Sequence, residues 1–394
     1  MKIKPLQLYS LAAIVQIAGS SGAAMLAPFF MKDHGYSIAA ASVPLVVNGI
    51  GRVCSDLTSG ILASYFSSGR LIVAASAASI VVAVVAHIFV ESPVVFMGAF
   101  TLLGITEAMF ALSIRKIAFE QSEPSQQGRV QGQVAAALGI GFSLGPLTSG
   151  FIGKMFGSQI LFAFYALPQM IGLILILLGG AHRSRAITQE SSVQLWREGK
   201  TLLTRPSFLA SSLAIFQSFV MLVGVTRLAF PFLAVSRGYA LDWVGTVVAI
   251  SRITDTFGRY TGGWLCDRIT APRVILSGVA IGIPMFIMQP YGSGVLSLVL
   301  PLTVMTMGFG YSNVGATTFA LQSAGPKAKA LALGLTRSCT SLGNTLGPLM
   351  AGLLVQHFGY ETGYHGMAAI SAVILVVAWL GLRAKAARAD KPLE

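Results

Sequence analysis

Runs of about twenty apolar residues, broken by short polar or Gly/Pro segments, repeat along this chain from end to end. A helix rising about 1.5 Å per residue needs roughly twenty residues to cross about 30 Å of hydrocarbon. The pattern therefore predicts twelve spanning helices, six in each half. The first six run from Leu6 to Phe30, Ser42 to Ser64, Leu71 to Phe89, Val94 to Ile114, Val130 to Met155 and Ile160 to Gly180. The second six run from Phe208 to Val235, Trp243 to Leu265, Val274 to Met288, Val295 to Thr317, Ala328 to His357 and Gly363 to Leu382. Between the two sets, Ala181 to Pro206 is rich in Arg and Glu and reads as a polar bridge, with a short amphipathic helix around Trp196 on the membrane surface. The expected organisation is a bundle over 1–180, a cytoplasmic linker over 181–206, and a second bundle over 207–394 ending in a short basic tail from Arg383.

The halves are copies of one unit. Gly141-x-x-x-Gly145-Pro146-x-x-x-Gly150 recurs 202 residues later as Gly343-x-x-x-Gly347-Pro348-x-x-x-Gly352, and each copy ends in Phe-Gly, at Phe156-Gly157 and Phe358-Gly359. Pro28-Phe29 and Gly35-Tyr36 recur as Pro231-Phe232 and Gly238-Tyr239 at an offset of 203. Duplication in an apolar chain points to a transporter built of two related bundles. It also decides the N-terminus: Lys2 and Lys4 before an apolar run look like a cleaved signal, but the first span has an internal counterpart and is expected to stay as a helix.

Composition agrees, because 54% hydrophobic against 10% charged residues leaves too little polar surface for a water-soluble fold of 394 residues. The net charge of +13 comes from basic loops. These fall on the side of both termini, whereas the opposite side has only Lys32, Lys154 and Arg237. Basic loops resist translocation, so both termini are expected in the cytoplasm, with the surplus facing anionic lipid; no nucleic-acid partner is needed to explain it. Cys54, Cys266 and Cys339 lack the spacing of a disulfide framework or zinc site, and the Met pairs 285/288 and 305/307 are ordinary gap fillers. No G-x-x-x-x-G-K-[ST] loop is present to bind ATP. Neither cofactor nor metal is expected.

At this point the chain resembles the major facilitator superfamily of transporters over essentially its whole length. Gly263-Trp264-Leu265-Cys266-Asp267-Arg268, followed by Arg273, is similar to the family's cytoplasmic loop motif G-x-x-x-D-R. Its first-half equivalent keeps Gly60 and Arg70 but has Ser64 and Tyr65 in place of the acid and the base. Gly141, Gly145, Pro146 and Gly150 resemble the G-x-x-x-G-P-x-x-G-G signature of members that export by antiport, with Ser149 replacing one glycine. Small residues let helices approach closely and proline bends them. The family's arginine motif in the fourth span is missing, so coupling through it is not inherited. The resemblance implies an all-α membrane fold of two pseudo-symmetric six-helix bundles and the drug or metabolite exporter branch.

Charges inside spans need a partner or a wet cavity. Arg52, Asp56, Glu107, Arg227, Arg252, Asp255, Arg259 and Arg337 lie in spans 2, 4, 7, 8 and 11, while spans 3, 6, 9 and 12 hold no Asp, Glu, Lys or Arg. That distribution fits a central cavity with lipid-facing supports. Arg52 and Asp56 are four apart and map onto Asp255 and Arg259 with reversed signs, forming ion pairs within each helix or across the bundles. With Gly263, Asp267, Arg268 and Arg273 they make up an expected cytoplasmic gate; static cross-links are the plainer reading. Glu107 has no acidic counterpart and is the first candidate for proton coupling, ahead of Asp56 and Asp255; as a structural acid it would be neutral or paired with Arg337. A carboxyl in a low-dielectric cavity can exchange a proton nearer neutral pH than one in water. Arg227, Arg252 and Arg337 are candidates for an anionic substrate group.

The sequence thus predicts a monomeric, non-enzymatic secondary transporter in a bacterial inner membrane, meeting a small-molecule substrate, protons and lipid. It would export an amphipathic or anionic metabolite, siderophore-like compound or drug by proton antiport and alternating access. The alternatives are a proton symporter that imports, a receptor on the same scaffold and, least supported by the scattered Ser, His and Cys, a membrane enzyme.

Overall fold

The computed structural model describes residues 5–120, 127–180, 202–323 and 329–389. The expected bridge lies outside these as far as residue 201, and the side chains of 57–65, including Gly60 to Tyr65 of the first loop motif, also fall outside. In chain order the helices are α1 Pro5–Asp33, α2 Ile38–Ala41, α3 Val43–Tyr65, α4 Ser68–Ile88, α5 Pro93–Glu120, α6 Gln127–Phe156 and α7 Leu161–Leu178. They continue as α8 Pro206–Gly224, α9 Phe230–Ser236, α10 Leu241–Ile269, α11 Ala271–Met288, α12 Val295–Ser323 and α13 Lys329–Ala389. Hydrocarbon offers no partner to a bare N–H or C=O, which is why helices that satisfy their own backbone fill the chain.

Ten helical stretches among the described residues are long and apolar enough to cross a membrane. One of them, Gly334–Arg383, is 50 residues long and is interrupted by the non-helical backbone of Gly359. Helix α10 is 29 residues long but is not among the ten; it carries Arg252, Asp255, Arg259, Asp267 and Arg268.

Repeated glycines break the helices. Gly157 and Gly359, the ends of the two Phe-Gly copies, have φ of 78° and 75°, and Gly35 and Gly238 have 81° and 85°. A Cβ is disfavoured at those angles, so the repeated residue gives a repeated break. Serines start other helices: Ser37 Oγ accepts from the Ala40 N–H at 3.2 Å, and Ser67 Oγ from the Arg70 N–H at 3.3 Å. Each satisfies a backbone donor that the first turn leaves without a partner.

The chain divides into two compact units, Met1–Gln189 with Phe230–Ile253, and Glu190–Ala229 with Thr254–Glu394. In the first, α1 packs on α6 and α7, α3 on α5, and α4 on α5 and α7. Its core includes Tyr9, Ile17, Ile72, Phe110, Ile114 and Leu138. In the second, α8 packs on α13 and α11 on α12, around Ile215, Val274, Ile275, Val279 and Phe319.

Small residues make these approaches possible. A methyl on Gly141 would lie 2.7 Å from the Ile14 carbonyl, and one on Gly343 would lie 2.7 Å from that of Phe216. Gly22 abuts Gly145, and Gly224 abuts Gly347 in the same manner. From these matched points the halves diverge. Pro28 follows Gly22 by six residues, whereas Pro231 follows Gly224 by seven. The second copy passes through a π turn, Val225–Ala229, between α8 and α9, where a wider turn takes up the additional residue.

Candidate functional site

In the first unit, three helices meet at Glu107. Its Oε1 lies 2.7 Å from Arg52 Nη1 and accepts a hydrogen bond from Ser20 Oγ at 3.2 Å, so α1, α3 and α5 meet at one carboxylate. Glu107 is 9% exposed, and the Arg52 side chain 18%. The acid is thus held as half of a buried pair with Arg52, while Arg337, its other prospective partner, is exposed on α13.

Neutral polar side chains extend this cluster. Gln16 Nε2 donates to Ser76 Oγ at 3.0 Å, and Gln169 Nε2 donates to the Gln16 carbonyl at 3.0 Å. Tyr165 lies within electrostatic reach of both Glu107 and Arg52. These groups border a small cavity that Glu107 also lines. Gln16, Gln169 and Tyr165 escaped a search for charged groups. The available signal was Ala13-Ile14-x-Gln16, which recurs as Ala214-Ile215-x-Gln217. Gln217 Nε2 donates to Ser371 Oγ at 2.7 Å, so each copy uses this glutamine to tie its first helix to another in its own bundle.

In the second unit Asp255 and Arg259 pair within α10: Nε donates to Oδ1 at 3.2 Å and Nη2 to Oδ2 at 2.8 Å. Asp255 is buried and Arg259 half-buried. The other candidate arginines differ in burial. Arg227 is half-buried in the π turn, Arg252 is buried in the first unit, and Arg337 is exposed. The loop motif ends α10, with the Arg268 guanidinium 3.9 Å from the centre of the Trp264 ring, a cation–π contact. Two residues later Thr270 has φ 91°, a backbone region that β-branched residues rarely occupy.

The antiporter-like motif faces two neighbours. Gly141 and Gly145 lie against α1, where Ser21 Oγ donates to the Gly141 carbonyl at 3.2 Å. Pro146 and Gly150 lie against Gly245 of α10. One turn beyond, Lys154 Nζ meets Asp242 Oδ2 at 2.7 Å, and this bond holds the Asp242 carboxyl below the usual aspartate range.

Long apolar helices with sparse buried charge define a multi-pass membrane protein. The family model described as Major Facilitator Superfamily matches residues 9–343, and the chain belongs to that family. An uncharacterized MFS-type transporter of Methanocaldococcus jannaschii is 21% identical over 64% of this chain and 66% of its own length. Solute carrier family 22 member 18 of Mus musculus is 23% identical over 65% of each chain. The alignments therefore span just under two thirds of these curated relatives. Among solved structures, the nucleoside transporter NupG superposes with a TM-score of 0.79 at 15% identity, covering 96% of this chain and 99% of that one. A bacterial homolog of the human lysosomal transporter Spinster gives 0.76 at 15% identity, with 96% of both chains covered. At such identities the likeness establishes the major facilitator fold.

Proposed function

We propose that this protein is a secondary transporter of twelve spans that exports a small amphipathic or anionic organic molecule in exchange for protons. In this reading its halves alternate access, both termini are cytoplasmic, and the membrane is a bacterial inner membrane. The observation that carries the proposal is the buried Arg52–Glu107 pair, braced by Ser20 inside an apolar bundle. Buried ion pairs are weak stabilisers, so their retention at membrane depth favours work over scaffolding.

In this mechanism Glu107 takes up a proton and becomes neutral, and its hold on Arg52 weakens. Asp56, four residues along the same helix, then competes for the guanidinium. Protonation is thereby converted into a change in which helix Arg52 holds. Arg227, Arg252 and Arg337 remain candidates for an anionic group of the substrate. Export is favoured over import by the resemblance of Gly141, Gly145, Pro146 and Gly150 to the antiporter signature.

The test compares small molecules in spent medium from cells making equal amounts of wild type or Glu107→Gln, by untargeted mass spectrometry. A compound enriched outside only with the wild type supports export and nominates the substrate. Depletion from the medium with accumulation inside would reverse the direction.

A further inference from the structure

The contacts that hold Glu107 are made on one side of its carboxylate. Oε1 receives both Arg52 and Ser20, which leaves Oε2 as the oxygen for a further partner. The side chain is more than nine-tenths buried and borders a small cavity lined from α1, α4, α5 and α7. Ser79 and Gln169 line that cavity from α4 and α7, helices that the charge distribution marks as lipid-facing supports. The space is narrow, suited to about one water molecule, and Ser79, Thr106, Glu107 and Gln169 are among the polar residues that line it. Ser79 Oγ donates to the Ser76 carbonyl in its own helix, leaving its lone pairs for such a molecule.

We propose that this cavity is a water site through which Glu107 exchanges its proton at Oε2, from within the first bundle. The inference rests on Glu107 being the proton carrier of the preceding section. Hydronium at the site gives one proton to Oε2 and remains as neutral water; Glu107 becomes a carboxylic acid, and no electrons move. The charged and titratable groups around the pair are Arg52, which contacts the carboxylate, Asp56, which acts on Arg52, and Tyr165 of α7. Among the described residues lining the site, α1 and α4 contribute only neutral groups. A sodium ion fits the walls less well, because the Arg52 guanidinium is already 2.7 Å from the same carboxylate and would repel a second cation there.

The experiment uses the proton itself as probe, on the full-length purified protein, by infrared difference spectroscopy after a pH jump. The carboxylic-acid band of Glu107 is assigned by its absence in Glu107→Gln. Ser79→Val and, separately, Ala75→Val fill the cavity from α4. The expected result is at least a tenfold slower rise of the band in each filling variant that keeps the wild-type melting temperature. An unchanged rate in those variants overturns the water site and leaves the carrier assignment standing. Absence of any band that Glu107→Gln removes overturns both. A band that depends on sodium at fixed pH overturns the proton-only reading of the cavity.

Discussion

Arg52 and Glu107, 2.7 Å apart, join α3 to α5. Asp56 follows Arg52 about one turn later on α3. A single guanidinium is thus placed between an acid on a neighbouring helix and an acid on its own. The other copy of this face behaves differently, because Arg259 is taken by Asp255 within α10. The two faces carry their signs in opposite order, and Arg52 reaches across to another helix where Arg259 stays within its own.

Removing one member of the buried pair leaves the other charge uncompensated, a loss of about 3–5 kcal/mol. Arg52→Leu is therefore expected to unfold well below wild type in a thermal scan in detergent, and Arg52→Leu with Glu107→Leu to regain most of that loss. A double variant no more stable than the single one would mean that the pair is not what the first substitution disturbs.

Two motif glycines should respond with opposite signs. A methyl on Gly145 would collide with Ser21 Oγ and the Ala18 carbonyl, so Gly145→Ala should cost about 1–3 kcal/mol. At Gly263 the nearest atom is Val314 Cγ1 at 3.9 Å. Gly263→Ala should therefore be neutral or gain up to about 1 kcal/mol from helix propensity. Melting temperatures of the two variants decide this. If stable Gly263→Ala protein loses transport, the loop motif acts through movement and not through packing.

Backbone conformation supplies a reciprocal pair. Gly359→Ala forces a Cβ into φ 75°, although no neighbouring atom stands in its way. The expected cost is about 1–3 kcal/mol. Thr270→Gly relieves a similar conformation at φ 91° and should raise stability by up to about that amount. Chemical denaturation of both variants checks the signs.

The Lys154–Asp242 contact should show its pH dependence on the acid side. The hydrogen bond from Lys154 depresses the Asp242 carboxyl. Its stabilisation is therefore fully present above the unfolded aspartate value of about 3.9 and is lost as pH falls through the lower folded value. The melting-temperature difference between wild type and Asp242→Asn should be constant from about pH 7 to 5 and shrink only at lower pH. A difference that vanishes by about pH 5 would place the folded value above the unfolded one.

The sequence made the helix breaks legible because the residues responsible are local. Gly35, Gly157, Gly238 and Gly359 were all in repeated dipeptides, and each has the positive φ that only glycine takes cheaply. Most helix starts fell close to the predicted spans, whereas α5 and α12 run on to Glu120 and Ser323, past the predicted ends at Ile114 and Thr317. The partner of Glu107 was not, since Arg52 is 55 positions away and sequence spacing favours Asp56 as its mate. Gln16, Gln169 and Tyr165 were missed because a neutral amide or phenol carries no cost conspicuous in composition until its surroundings are known. The π turn was also present in the numbers, as a change in repeat offset, but an offset alone does not say whether a helix or a loop absorbs it.

One surplus residue in a helix would swing everything after it by about 100°. The second copy takes up its residue in the π turn Val225–Ala229, and Gly238 carries a positive φ as Gly35 does. That turn carries Arg227, where the first copy has no charged residue between Gly22 and Pro28. A difference in length between the two halves thus needs no loop: a wider helical turn accommodates it inside an apolar stretch.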